Sequence, residues 1–190
     1  MEGTSTLCRF SCRIPQRVCY RCWLIISAGF GVVSAETPLP SYECTFSDAE
    51  SNETRARRMG YAPEELTKKK IPRAVATEKS IPSDLKRYLS KGYDIVFVVL
   101  GKSYLIAAEE ALSSIPMGTK ALAFAAKGNR HLIGGCEWIP STEEERSHFG
   151  TVWMELRGRQ FRELAGNLEP DIDLSVQGAE KLHALSLGRE

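Results

Sequence analysis

The chain of 190 residues lacks several features that would place it quickly. It has no apolar run near the ~18 residues that a membrane-spanning helix needs, so no membrane partner is expected. Its net charge is only +1, so no global polarity selects a partner. It has three histidines, and none lies near the cysteine-rich N-terminal stretch. There is no His-Glu-x-x-His pattern and no carboxylate pair at a known catalytic spacing, and no Ser, His and Asp set can be read from order alone. What remains is 43% hydrophobic and 26% charged residues, a globular composition of a size for one α/β domain.

Cysteine is present in an unusual pattern. Cys8, Cys12, Cys19 and Cys22 fall within fifteen residues, interleaved with Arg9, Arg13, Arg17 and Arg21. The gaps of three, six and two residues match no standard zinc spacing, and no metal is expected there. Nearby arginines would favour thiolates. A disulfide scaffold is not expected in a chain large enough for a good core.

Charge is unevenly distributed. Residues 55–91 hold eleven Lys and Arg against four acids, a local excess of +7, whereas the stretch from Glu163 onward carries six acids against Lys181 and Arg189. A basic middle suits an anionic partner such as nucleic acid. The competing reading is a solvated, partly disordered linker.

The clearest regular structure is central. Residues 95–100, "IVFVVL", form a β-branched run of the kind buried on both faces of a parallel sheet. The stretch "SYLIAAEEALSSIP" puts Tyr104, Ala108, Ala111 and Ile115 on one helical face, with Glu109 and Glu110 turned to water. Residues 120–126 are a second buried strand, which makes a βαβ unit. Before it, "PSDLKRYLSKG" reads as a helix capped by Ser83. After it, Ser141 and Glu144 fit a capping box, and "TVWMELRGRQFRELAG" reads as a helix with Val152, Trp153, Leu156 and Leu164 inward. The expected fold is α/β, a mostly parallel sheet flanked by helices in one domain. A Cys/Arg-rich segment (1–21) precedes the domain (22–168), and a weakly helical or disordered acidic tail (169–190) follows it.

Residues 22–42, "CWLIISAGFGVVSAETPLPSY", admit two readings. They could end a signal peptide cut after Ala35, giving a secreted domain. The apolar part is interrupted by Gly29 and Gly31 and preceded by 22 residues that include Pro15, which favours a buried strand over 22–27 running into a glycine turn. Strands 22–27, 95–100 and 120–126 would then lie side by side and parallel.

Ligands of open α/β sheets bind outside the carboxyl ends of the strands. Three segments fall there. The first is "SAGFG", with Ser27, Gly29 and Gly31, leading on to Glu36 and Tyr42. The second is "GKS", Gly101 to Ser103. It lacks the first glycine of a P-loop, since position 96 is Val96, but Lys102 and a helix N-terminus can still hold an anion. The third is "AKGNRH", where Arg130 is the better anion contact and His131 the weaker candidate.

The motif "IISAGFGVVSAETPLPSYECTF" resembles the strand–turn segment of the YaaA-like proteins, which comprise the peroxide-stress YaaA family and a related uncharacterised domain family. Ser27, Phe30, Gly31, Glu36 and Tyr42 occupy the pattern's positions, with Ser41 inserted between Pro40 and Tyr42. "YDIVFVVLGKSYL" is similar to the family's next strand and Gly-x-x-Tyr turn, through Gly101 and Tyr104. The resemblance covers roughly residues 20–165. Such proteins usually open with a further strand, so it also implies a chain truncated at its N-terminus. It implies a cytoplasmic protein linked to DNA and the stress response, binding nucleic acid or a nucleotide-like anion without a cofactor. The alternative is a glycosidase or transferase acting on a nucleoside or modified base, with Glu36 as catalytic acid or base and Ser27, Gly29, Gly31, Tyr42, Gly101, Lys102, Tyr104 and Arg130 binding the ligand.

Overall fold

The computed structural model describes residues 5–8, 22–41, 46, 49–62, 70–168, 173–174 and 176–189. Six strands make one sheet: β1 (Ser5–Cys8), β2 (Leu24–Ser27), β3 (Gly31–Ser34), β4 (Ile95–Val99), β5 (Lys120–Ala125) and β6 (Glu137–Pro140). Their order across the sheet is β3-β2-β1-β4-β5-β6. The pairs β4–β5 and β5–β6 are parallel, whereas β1 is antiparallel to both of its neighbours and β3 is antiparallel to β2. Two reversals restore direction, so β2 runs the same way as β4, β5 and β6. The protein is an α/β fold.

β1 occupies the place next to β4 that the sequence reading assigned to residues 22–27. Thr6 pairs with Ile25 on one side and Val99 on the other. The segment 5–8, placed in a separate N-terminal region on composition, is thus part of the sheet. Cleavage after Ala35 would remove β1, β2 and β3, half of the strands.

Seven α-helices are described: α1 (Ala49–Arg58), α2 (Ile71–Glu78), α3 (Ile81–Leu89), α4 (Lys102–Leu112), α5 (Glu143–Phe149), α6 (Trp153–Asn167) and α7 (Ala179–Leu185). A 3-10 helix spans Lys127–Leu132. Side chains of a strand alternate between faces, and this alternation divides the core in two. Val96, Val98 and Leu100 of the β4 segment meet α2, α3 and α4, while Ile95 and Phe97 meet α6 and α7. β5 follows the same rule with a difference in size. Ala121, Ala123 and Ala125 face the α4 side, where Ala107, Ala108 and Ala111 allow close approach. Leu122 and Phe124 face Phe161 and Leu164 of α6. The Phe161 ring lies 5.4 Å from that of Phe97, 6.1 Å from Phe124 and 6.1 Å from Trp23. Such offset and edge-on contacts add to the burial energy of large rings.

Several local expectations shift. The basic middle is helical, not an open linker, where it is described: Val75, Ala76, Ile81 and Leu85 are buried from α2 and α3. Ser83 does not cap α3. Its hydroxyl donates to the Ser80 carbonyl, and Ser80 itself is the N-cap in a left-handed conformation, φ 54°. The capping box lies one residue later than expected, on Thr142 and Glu145. Ser141 instead donates from Oγ to Gln160 Oε1 at 2.6 Å. Trp153 and Val152 lie outside the buried face of α6, which is Leu156, Gln160, Phe161 and Leu164. Val152 is the N-cap, and the Arg146 guanidinium covers Trp153 at 5.8 Å. In the acidic tail, Leu174, Leu182 and Leu187 are buried, and Lys120 Nζ donates to the Gln177 carbonyl.

Candidate functional site at the carboxyl ends of the central strands

Because β2, β4, β5 and β6 point one way, Ser27, Gly101, Lys127 and Ser141 follow strand ends on one edge of the sheet. Adjacent strands are about 4.8 Å apart, so neighbouring strand ends share a site more easily than distant ones. β4 and β5 are neighbours, which brings Gly101 and Lys102 beside Lys127 and Gly128. Ser27 sits two strand spacings from Gly101, about 10 Å, with β1 between.

Ser27 is fully buried and its Oγ accepts from the N–H groups of Gly29 (3.2 Å) and Phe30 (3.1 Å). It closes its own three-residue turn and is not presented to a ligand. Gly29 lies in that turn. Gly31 begins β3 with φ +76°, and a Cβ there would meet the Lys79 carbonyl oxygen at 2.8 Å. Its requirement for glycine comes from hairpin geometry and the close α2–α3 turn.

Glu36 is the clearest correction. The tight hairpin sends β3 back antiparallel to β2, and Ala35 N donates to the Trp23 carbonyl at 2.9 Å. Glu36 therefore lies at the opposite edge of the sheet from Lys102 and Lys127, exposed, its N–H bonded to Ser34 Oγ at 3.3 Å. It cannot act as acid or base on a ligand held at the carboxyl edge. Tyr42 lies outside the described residues, as do Cys12 and Cys19 and the side chain of Cys8, so the expectation about metal at those cysteines lies there too.

At β4 the chain leaves the sheet through Leu100 and Gly101. Gly101 is the N-cap of α4, with extended backbone and no side-chain cap. The first-turn N–H groups of an α-helix have no intrahelical acceptor, and Gly101 has no side chain with which to cap them. Lys102 is exposed at the first helical position. Tyr104 is half-buried, with its ring 4.7 Å from that of Phe46.

At β5 the exit carries Lys127 into the 3-10 helix. Lys127 and Arg130 are exposed and Asn129 is buried. Arg130 lies over the Trp138 ring, 5.1 Å from its centroid, and the Trp138 indole N–H donates to the Ala125 carbonyl at 2.8 Å. The indole is pinned to the end of β5, and it holds the guanidinium plane in turn. Trp138 escaped the sequence reading. Its only signal was one aromatic residue in "CEWIP", after a loop and before a proline.

The carboxyl edge thus carries Gly101 and Lys102 at the exit of β4, Lys127 at the adjacent exit of β5 and Arg130 over Trp138 beyond it, and leaves out Glu36. Compared with family models, curated proteins and solved structures, the chain finds no match in any of the three. Among the described residues no group of His, Cys, Asp or Glu is placed to hold a metal, and no helix is long and apolar enough to cross a membrane.

Proposed function

We propose that the protein binds a nucleotide-like anion at the carboxyl ends of β4 and β5. The observation that carries this reading is the uncapped start of α4, with Lys102 at its first position and Lys127 on the adjacent strand exit. The positive end of a helix and two flexible cations suit a phosphate group. Arg130, steadied on Trp138, offers a planar fork and a stacking surface beside it. The YaaA-like resemblance belongs to the same proposal, since it leads to the same class of ligand.

The basic helices support a small anion over a long nucleic acid. Arg58 and Lys79 pair with Glu78, Arg87 with Asp84, Arg73 with Glu109 and Lys86 with Glu110. Glu109 and Glu110 come from α4, outside the stretch that appeared to carry the excess charge. The experiment is calorimetric titration of nucleoside mono- and triphosphates into the wild type, Lys102→Glu and Arg130→Glu. Both residues are exposed, so melting temperatures should stay within about 2 °C. Affinity should fall at least tenfold in each variant. Unchanged affinity in Lys102→Glu removes the proposal.

A further inference from the structure

A second feature lies on the other face of the sheet and stands independently of the site above. Arg157, in the second turn of α6, has its Nε shut off from solvent and without a hydrogen-bond partner. Among the described residues its guanidinium meets no carboxylate. Its own helix cannot supply one: positions three and four residues away are Trp153, Met154, Gln160 and Phe161. Neighbouring acids are committed elsewhere. Glu143 holds Arg146 at 2.5 Å, Glu145 holds Thr142 and His183, and Glu155 takes the Thr151 hydroxyl at 2.8 Å and lies 3.5 Å from Arg159. Gln160 is likewise occupied, by Ser141 and by the Pro140 carbonyl at 2.7 Å.

A largely buried cation that meets no counter-charge among the described residues is costly, and burial draws the guanidinium below its ordinary pKa. Arginine stays charged at any physiological pH all the same, so the charge must be met by something. Only the Nε is shut off; the residue as a whole is half-buried, which leaves the rest of the side chain as the side from which an outside group would approach. We propose that Arg157 is the anchor of an oxyanion site, taking a carboxylate or phosphate through two parallel N–H donors. The two rings one turn away along α6 are Trp153, 45% exposed, and Phe161, whose ring meets the 40% exposed Trp23. Such surroundings favour an oxyanion carried on an aromatic or apolar body.

The test is thermal melting in chloride, inorganic phosphate and benzoate at one ionic strength. Benzoate or phosphate should raise the melting temperature of the wild type saturably, by about 5–10 °C at a hundredfold excess over Kd. Arg157→Met should melt at or above the wild type in chloride, because an unmatched charge is gone, and should not respond to either anion. Arg157→Lys keeps the charge without the fork, and should need at least tenfold more anion. Benzoate acting at lower concentration than phosphate identifies a carboxylate on an aromatic body; the reverse order identifies a phosphate. The Arg157 Nε–H resonance of the wild type should shift over the same titration, a readout that requires no variant to fold. The site is refuted if neither anion moves that resonance or the wild-type melting temperature, or if Arg157→Met responds as the wild type does.

Discussion

His183 Nε2 lies 3.0 Å from Glu145 Oε1, joining the C-terminal helix α7 to the first turn of α5. The Glu145 side chain is only 3% exposed, and its other oxygen accepts from Thr142 N at 2.6 Å and Thr142 Oγ1 at 2.5 Å. One carboxylate therefore closes a capping box and holds a helix from the far end of the chain. Burial alone would raise the Glu145 carboxyl, but the Thr142 donors and the His183 charge outweigh it and hold the group below the ordinary carboxylate range.

A depressed folded-state pKa contributes stability that is present above the unfolded value and lost as pH falls through the folded one. Glu145→Gln should therefore lower stability at pH 7 by about 1.5–3 kcal/mol, the range for hydrogen bonds to a charged group. It should also flatten the acid limb of the stability curve below the ordinary carboxylate range. Urea melts of both proteins at several pH values measure the two effects together. A variant whose acid limb matches the wild type would show that Glu145 is not a source of that dependence.

Among the described glycines Gly134 is the one least tolerant of a side chain. It has φ +58°, and a Cβ there would stand 2.4 Å from the Leu112 carbonyl carbon and 2.5 Å from its oxygen. The clash is with backbone at the end of α4, which cannot step aside as a flexible side chain can. Gly134→Ala should cost about 3 kcal/mol or more, combining left-handed strain with forced movement of α4. Gly128→Ala is the control, since nothing lies within 4 Å of its added methyl. Denaturant midpoints of the two variants should differ accordingly.

The sequence disclosed the middle of the molecule far better than its margins. β4 and β5 are continuous apolar runs, and burial on both faces leaves that signature in any context. β1, β3 and β6 have four residues each. Strands so short carry no period to read; β2, equally short, shows only through its continuous apolar run, which β1 and β6 lack, and β6 ends on Pro140, which only an edge strand tolerates. The same limit decided the site. The placing of Lys102 and Arg130 just past strand ends was legible because they follow readable strands. Glu36 was misplaced because "GVVS" hid a hairpin return, which carried it to the wrong edge. Trp138 and Arg157 were invisible because their significance lies in what touches them, or fails to.

Cys136 is buried, and desolvation pushes its thiol up to about 12. The thiolate is the reactive form, so at pH 8 it is almost absent. Native protein treated with iodoacetamide should show Cys136 unlabelled by peptide mass spectrometry, and fully labelled after denaturation in urea. Labelling in the native state at a rate near that of a free thiol would mean that β6 opens locally.

Glu109 and Glu110 offer the sharpest test of whether ion pairs set the charge of the basic helices. Arg73 donates to Glu109 Oε2 at 2.8 Å and Lys86 to Glu110 Oε1 at 2.6 Å, across the α2–α4 and α3–α4 contacts. Each pair has one exposed member, Arg73 or Glu110, and one half-buried, Glu109 or Lys86, so each contributes less than about 1 kcal/mol to stability. Their electrostatic effect is larger than their energetic one. Two acids from α4 offset two cations on the face where α1, α2 and α3 carry their excess. Replacing both, Glu109→Gln with Glu110→Gln, should leave the fold intact and raise the local positive charge by two. Affinity for a duplex oligonucleotide should then increase several-fold at low salt. The increase should fade as salt rises, because released counterions drive it. Nucleotide affinity at Lys102 should be unaffected, since that site is at the other end of the first two turns of α4. Equal oligonucleotide binding by wild type and variant at every salt concentration would show that these ion pairs do not govern the charge of that face.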